Sequence, residues 1–500
     1  MRHSGRHRPP LYGGANLPTA DFGQNAHVIM KPTLTLLIAS LLPGFAGAQG
    51  PSAADALKPA AKPNILIILS DDHGYADVGA QGAKDIPTPH LDSLAANGVR
   101  CTSGYVSSSM CSPSRAGLLT GRSQSRFGHE INWEPTLPIA PNDQRGLPLT
   151  EKTIADHLQA AGYRTGIVGK WHLGETAPFH PNRRGFDDFF GFVWGGHDYF
   201  CDNYTDEPNP KRPKYAHYLL PLERNGVPEK RAGYLTSVLG AESAAFIHRH
   251  KNQSWFLYAS FNAPHTPLQA TPELLDRVKH IADEQRRTYA AMVCGLDDAV
   301  GAILKQLRED GLEERTLIFF LSDNGGPLTR NGSLNTPLSG EKGKMLEGGI
   351  RVPFFVQWKG TLPAGKTYDR PVSSLDILPT ALKVAGAKSI APQPLDGVNL
   401  IPFLKGEKTG DPHEVLFWRM KARSIWAVRS GDHKLVMQRT RTPCLYDLKQ
   451  DIGETTDLAG KLPAVRDRLQ AAYDSWAATL PEPLWDVNGE DDRPAKRKKP

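Results

Sequence analysis

"NILIILSDDHG", residues 64–74, decides the fold. Its apolar core, Ile65 to Leu69, is rich in β-branched residues and shows no polar alternation. A strand with one wet face alternates; one buried on both faces does not, and such strands belong to parallel sheets covered by helices. "TLIFFLSDNGG", residues 316–326, repeats the form. Each run ends in a serine, then an aspartate and a second Asp or Asn.

Outward from the first run, "TPHLDSLAANG" reads as a helix with Pro89 near its start and Gly98 after its end. "KTIADHLQAAG" is a helix closed by Gly162, and "YRTGIVG" a strand. "SWFLYASF" is another strand, "DDAVGAILKQLREDG" an amphipathic helix and "SLDILPTALKVAG" a further helix. Strands alternating with helices predict an α/β fold: a large, mostly parallel sheet flanked by helices. Past the Pro-rich "APQPLDGVNL" come short strands, "EVLFWRM", "IWAVRSG" and "HKLVMQR", then the helix "PAVRDRLQAAYDSWAATL". These predict a smaller C-terminal antiparallel sheet plus helix. The expected boundaries are a catalytic domain over 63–405, a C-terminal subdomain over 411–485 and a charged, disordered tail over 486–500.

The N-terminus predicts export. Lys31, the apolar "LTLLIASLL" and "AGA" at 46–48 fit a signal peptide over 30–48, with Met30 as the start and 49–62 as a linker. The mature chain is then periplasmic or secreted, with no segment apolar enough to span a membrane. The net charge is +6; removing residues 1–48 takes four basic residues and one acidic one, leaving +3. So slight a balance argues against a nucleic-acid partner. Five cysteines leave at least one unpaired, and their spacing gives no connectivity.

Four predicted strands end in polar residues: Asp71, Asp72 and His73; Lys170 and His172; Asn262 and His265; Asp323 and Asn324. Open α/β sheets bind ligands outside the carboxyl ends of their strands. Adjacent Asp71 and Asp72 repel unless a cation sits between them. With Asp323 and Asn324 they form an all-oxygen set suited to Ca²⁺ or Mg²⁺. Each motif alone reads rather as a helix cap or turn; two rhyming motifs reverse that and favour the metal. Alone, Lys170 reads as solvated, His172 as packed on Trp171, His265 as a loop histidine and Lys342 as surface charge; His90 and His197 are given no functional role. "WGGHDYFCDNY", Trp194 to Tyr204, is either a sugar-stacking surface or a loop's own small core.

"SSSMCSPSRAGLLTG", residues 107–121, holds a lone cysteine, Cys111, in a serine-rich stretch. With no second cysteine nearby it is neither a zinc knuckle nor a redox pair. "CSPSRAGLLTG" resembles the type I, formylglycine-dependent sulfatase signature of the alkaline phosphatase superfamily. The resemblance extends through "ILIILSDDHGY", "VGKWHLG", "RRGFDDFFGF", "NAPHTP", "LSDNGG", "KGKMLEGGIRVP" and "LYDLKQDIGETTDLA", in that family's order.

The resemblance implies that a maturation enzyme converts Cys111 to Cα-formylglycine. Hydrated, this is a gem-diol: one hydroxyl attacks the sulfur of a sulfate ester, and the second allows sulfate to leave. It implies that Asp71, Asp72, Asp323 and Asn324 hold Ca²⁺ with residue 111, and that Arg115 steadies the diol. Lys170 and Lys342 are then sulfate ligands, His172 assists sulfate release, and His265 is the acid for the departing alcohol. Lys344 is a second choice for the role of Lys342. The expected substrates are sulfated carbohydrates or aryl sulfates. The alternatives are a phosphate or phosphonate ester hydrolase of the same superfamily and a catalytically silent carbohydrate-binding relative.

Overall fold

Ile65, Ile67 and Leu69 enter one apolar cluster and Leu66 and Ile68 another. The two clusters lie on opposite faces of one sheet, which is why the run shows no polar alternation. In this computed structural model, residues 62–133, 140, 143–208, 213–438 and 442–485 are described. The expected signal peptide, the linker up to residue 61 and the C-terminal tail lie outside them.

The strands in chain order are β1 (Asn64–Ser70), β2 (Val99–Cys101), β3 (Gly104–Tyr105), β4 (Arg164–Lys170), β5 (Asp188–Phe192), β6 (Leu222–Arg224), β7 (Val227–Glu229), β8 (Trp255–Ser260), β9 (Thr316–Ser322), β10 (Phe354–Gln357), β11 (Lys366–Tyr368) and β12 (Val372–Ser373). All but β3 and β12, which pair with each other, form a ten-stranded sheet in the order β11-β2-β10-β9-β1-β8-β4-β5-β6-β7. Its centre, β9-β1-β8-β4-β5, is parallel throughout. The strand ends carrying the polar motifs therefore open on one edge. Antiparallel neighbours, β10 and β6, close the parallel block on either side.

The helices are α1 (Pro89–Ala96), α2 (Cys111–Thr120), α3 (Ile154–Ala160), α4 (Leu235–Arg249), α5 (Pro272–Arg277), α6 (Glu284–Glu309), α7 (Leu328–Asn331), α8 (Glu347–Ile350), α9 (Ile377–Val384), α10 (Ile401–Lys405) and α11 (Pro463–Ala477). On one face of the sheet lie α1, α4 and α6; on the other lie α2, α3 and α9. Thr153 and Asp156 form a reciprocal capping box that starts α3. Asp283 caps α6 through Arg286 N at 2.7 Å. α6 is longer than its sequence periodicity suggests, because Tyr289 to Asp297 is buried almost all round. Its buried Asp297 accepts from His90 N and Leu91 N and so caps α1.

A four-stranded antiparallel sheet follows: β13 (Leu416–Met420), β14 (Ile425–Ser430), β15 (His433–Met437) and β16 (Cys444–Asp447). The first three match the predicted strands; β16 is an addition. α11 packs on one face through Leu469 and Tyr473. The other face shares a core with Tyr105, Met345 and Ile350 of the large domain. All five cysteines are unpaired thiols, and no described helix is long and apolar enough to cross a membrane.

Candidate active site

Ser70 and Ser322 are register partners on β1 and β9, so Asp71 and Asp323 leave the sheet at the same level. Asp323 N donates to Ser70 O at 3.0 Å, and Asp72 N to Asp323 Oδ1 at 3.2 Å. Asp72 has a left-handed backbone, with φ at 60°, which is uncommon away from glycine. Asn331 Nδ2 holds its carbonyl at 3.1 Å, and Ser322 Oγ accepts from the next amide, His73 N, also at 3.1 Å.

Cys111 opens α2. Its Sγ lies 3.7 Å from Asp71 Oδ1 and 4.0 Å from Asp72 Oδ1. One turn on, Arg115 shares that helix face. Its Nε donates to Asp323 Oδ2 at 2.9 Å and its Nη1 to Ser260 Oγ at 2.6 Å, while Nη2 lies 3.4 Å from Asp71 Oδ2. From the end of β4, Lys170 Nζ donates to Asp71 Oδ2 at 2.5 Å. Lys342 Nζ lies 2.8 and 2.9 Å from the two oxygens of Asp72. Thus Lys342 is the lysine of its loop that meets the aspartate pair.

The centre thus sets three carboxylates against three cations. Burial opposes ionisation of Asp71, but Lys170, His265 and Arg115 outweigh it and hold the carboxyl below its usual range. For Asp72, burial is likewise overcome, by Lys342 and His265. Burial pushes the Cys111 thiol up to about 12, against the pull of Lys342 and Lys170. The side chain at 111 is thus a neutral thiol at ordinary pH, a poor nucleophile.

His265 Nδ1 lies 2.6 Å from Thr266 O, an acceptor, which places a proton on Nδ1 and turns Nε2 toward Asp72 Oδ2 at 3.7 Å. His172 is buried with φ at 58°, and Gly195 covers its Nε2 so closely that a Cβ there would come within 2.8 Å. Burial, then Lys170 and Arg115, hold its pKa well below the usual value, so it is neutral.

The donor set fits a hard cation. Asp71, Asp72, Cys111 and His265 bring possible ligand atoms within 4.8 Å of one another. Asn324 Nδ2 donates to Asp72 Oδ1 at 2.7 Å, while its Oδ1 is buried with no hydrogen-bond partner. An orphaned buried amide oxygen beside two ionised carboxylates is what a Ca²⁺ or Mg²⁺ ligand offers. The sequence reading did not name His265 for this cluster, nor Ser260 and Asn331, which hold Arg115 and Asp72. Ser260 closes an apolar strand and Asn331 ends the four-residue helix α7; neither stands out in one sequence.

The stretch Trp194 to Tyr204 divides. His197 is buried between Phe192 and Tyr204, with ring centroids 4.7 and 4.6 Å away, forming the loop's own core. Trp194 is half-buried and packs on His217, the rings tilted by 32° with centroids 4.8 Å apart. His90 packs on α6, where Gly301 leaves it room.

The sulfatase family profile matches residues 63–387, which contain the whole ten-stranded sheet and every site residue named above. The chain belongs to the sulfatase family. A second profile, described as N-sulphoglucosamine sulphohydrolase, C-terminal, matches residues 340–472. Arylsulfatase A of Bos taurus is 35% identical over 459 residues, covering 83% of this chain and 87% of that protein. N-acetylgalactosamine-6-sulfatase of Mus musculus is 34% identical over 403 residues, covering 77% and 74%. The crystal structure of Ps i-CgsB in complex with k-i-k-neocarrahexaose superposes with a TM-score of 0.78 at 38% identity, covering 85% of this sulfatase and 95% of that chain. This sulfatase is accordingly an arylsulfatase-like hydrolase of sulfate esters.

Proposed function

We propose that this sulfatase removes sulfate from sulfated carbohydrates after Cys111 has been converted to Cα-formylglycine, with Ca²⁺ or Mg²⁺ held by Asp71, Asp72, Asp323, Asn324 and residue 111. The observation that carries the reading is the convergence of Lys170, Lys342 and Arg115 on the carboxylates beside Cys111. A sulfate ester, whose single charge becomes the two charges of sulfate on release, needs such a cationic floor. A thiol pushed up to about 12 is poorly suited to attack it. The formylglycine hydrate supplies a nucleophilic hydroxyl and a second hydroxyl for release; a cation held by these residues would supply Lewis acidity, favouring ionisation of the first hydroxyl and offsetting charge on the sulfate.

The chain's own residues do the rest. Lys170 and Lys342 bind sulfate oxygens, Arg115 steadies the group at 111, and His172 accepts a proton as sulfate leaves. His265, once it has also taken a proton on Nε2, the nitrogen facing the site, delivers that proton to the leaving oxygen and returns to the neutral ring protonated on Nδ1. N-acetylgalactosamine-6-sulfatase and the carrahexaose complex support a carbohydrate substrate. The apolar segment at 30–48 supports export, with maturation at residue 111 by a formylglycine-generating enzyme.

Mass spectrometry of the peptide holding residue 111, paired with turnover of sulfate and phosphate monoesters of one alcohol, tests the reading. A mass lowered by the exchange of thiol for aldehyde, with sulfate preferred, is expected. An unmodified cysteine in active enzyme overturns it, and a preference for phosphate moves the assignment to the phosphate or phosphonate hydrolases.

A further inference from the structure

Lys342 stands in a loop with left-handed glycines, Gly340 and Gly343, at φ 85° and 80°. On its inner side Gly343 N donates to Ser109 O at 2.9 Å, two residues before Cys111. On its outer side the loop is held by the C-terminal sheet. Lys434 of β15, with its side chain wholly buried, donates to Glu347 Oε1 and Glu454 Oε1, both at 2.9 Å. Glu454 Oε2 accepts from Glu347 N at 2.6 Å, at the start of α8. Ser339 Oγ, ahead of the loop, donates to Gly453 O at 2.5 Å.

Glu347 also receives Tyr105 Oη at 2.5 Å and Arg351 Nη1 at 3.2 Å, and Arg429 of β14 reaches that tyrosine. The backbone between Tyr105 and Cys111 is tied to α8 as well, through Val106 N and Ile350 O at 2.9 Å. So α8 lies between the two chain segments that bring Lys342 and residue 111 together.

We propose that Lys434 and Glu454 are positioning residues of the active site: through Glu347 they fix the loop that presents Lys342 to the substrate. The inference rests on Lys342 being a sulfate ligand. Stability alone is a weak reason for this arrangement, because a buried ion trio is commonly matched or bettered by apolar residues of the same volume. Glu454 also has φ at 52°, a strained conformation that persists where the surroundings over-determine it. A charged, directional clamp sets register where an apolar contact would slide.

A double-mutant cycle on the matured enzyme tests this, with melting temperature and conversion at residue 111 measured for every variant. Lys342→Ala should lose about 10²–10³-fold in kcat/KM. Lys434→Met should lose about 10–10²-fold, mainly in kcat with KM little changed, because a group slightly out of place weakens the transition state most. Glu454→Ala, which leaves Lys434 paired with Glu347, should show the same split and carries the cycle if Lys434→Met does not fold. Inorganic sulfate, titrated by calorimetry, should bind more weakly to Lys342→Ala, and to Lys434→Met and Glu454→Ala nearly as well as to the wild type.

Residues acting through Lys342 give non-additive losses, so each double variant should be no worse than Lys342→Ala within about twofold. Multiplying losses would reduce Lys434 and Glu454 to structural residues and overturn the proposal. Wild-type kcat in Lys434→Met and Glu454→Ala, with Lys342→Ala impaired, would sink this inference alone. Full turnover by Lys342→Ala would instead remove the sulfate-ligand reading beneath it.

Discussion

A single buried sulfur, 3.7 Å from one aspartate and 4.0 Å from the next, is where the residue-scale argument turns. A serine at that place occupies similar space and offers one hydroxyl, whereas a hydrated aldehyde has two. Cys111→Ser should therefore fold normally and release no more than about one equivalent of alcohol per chain. Sustained multiple turnover by that variant, followed by sulfate release, would rule out the formylglycine route. The proposed role of His265 as the acid for the leaving group gives a second residue-scale prediction. A sugar alkoxide needs a proton to depart, and a nitrophenolate does not. His265→Ala should lose about 10²–10⁴-fold on a sugar sulfate and far less on nitrophenyl sulfate, compared at the chemical step. Equal losses would make His265 a sulfate-positioning residue and send the search for the acid to Lys342.

At the scale of elements, the strand ends were readable and the helix bearing Cys111 was not. β1 and β9 announce themselves by five or more apolar residues in a row, and their register explains why "LSDD" and "LSDN" rhyme. Every residue of α2 is buried, polar ones such as Ser112, Ser114 and Arg115 included, so no solvent-facing stripe gives the run a helical period. β5 was visible only as the motif "GFDDFFGF", because Asp188 and Gly191 interrupt its apolar pattern. α7 is too short to be read, yet it ends in Asn331, which holds the left-handed Asp72. Outer supports of this kind are typically worth about 10–100-fold in metal affinity. Chelation should inactivate the enzyme, with Ca²⁺ or Mg²⁺ restoring it. Asn331→Ala should need about 10–100-fold more metal for half-maximal recovery. Chelator-resistant activity in protein shown to be metal-free would exclude the metal site. An unchanged metal requirement in Asn331→Ala would leave the asparagine a loop residue.

Across the whole molecule, the join between the large sheet and the C-terminal sheet buries a charged cluster beside its apolar core, which no single stretch of sequence could reveal. Lys434, Glu347 and Glu454 come from three distant segments, and each alone reads as surface charge. Their packing makes stability depend on pH in two opposite ways. Burial works against ionisation of Glu347, but Lys434, Arg351 and Arg429 overcome it and lower its pKa from 4.5 to about 2. A lowered carboxyl contributes stability that is present above 4.5 and lost as pH falls toward about 2. Glu454 behaves oppositely: burial, followed by the neighbouring Glu347 charge, outweighs Lys434 and raises its pKa to about 7. A raised carboxyl contributes stability that is present below 4.5 and lost as pH rises through about 7. The join should therefore be firmest just above pH 4.5, weakening on both sides. Glu454→Gln removes the second titration and keeps the first. Its melting temperature, measured from pH 3 to 8 beside the wild type, should fall on the acid side as the wild type does. Between pH 4.5 and 7 the variant should gain on the wild type, because it has no proton left to lose. A difference between the two proteins that stays flat across that interval would show that Glu454 does not titrate in the join.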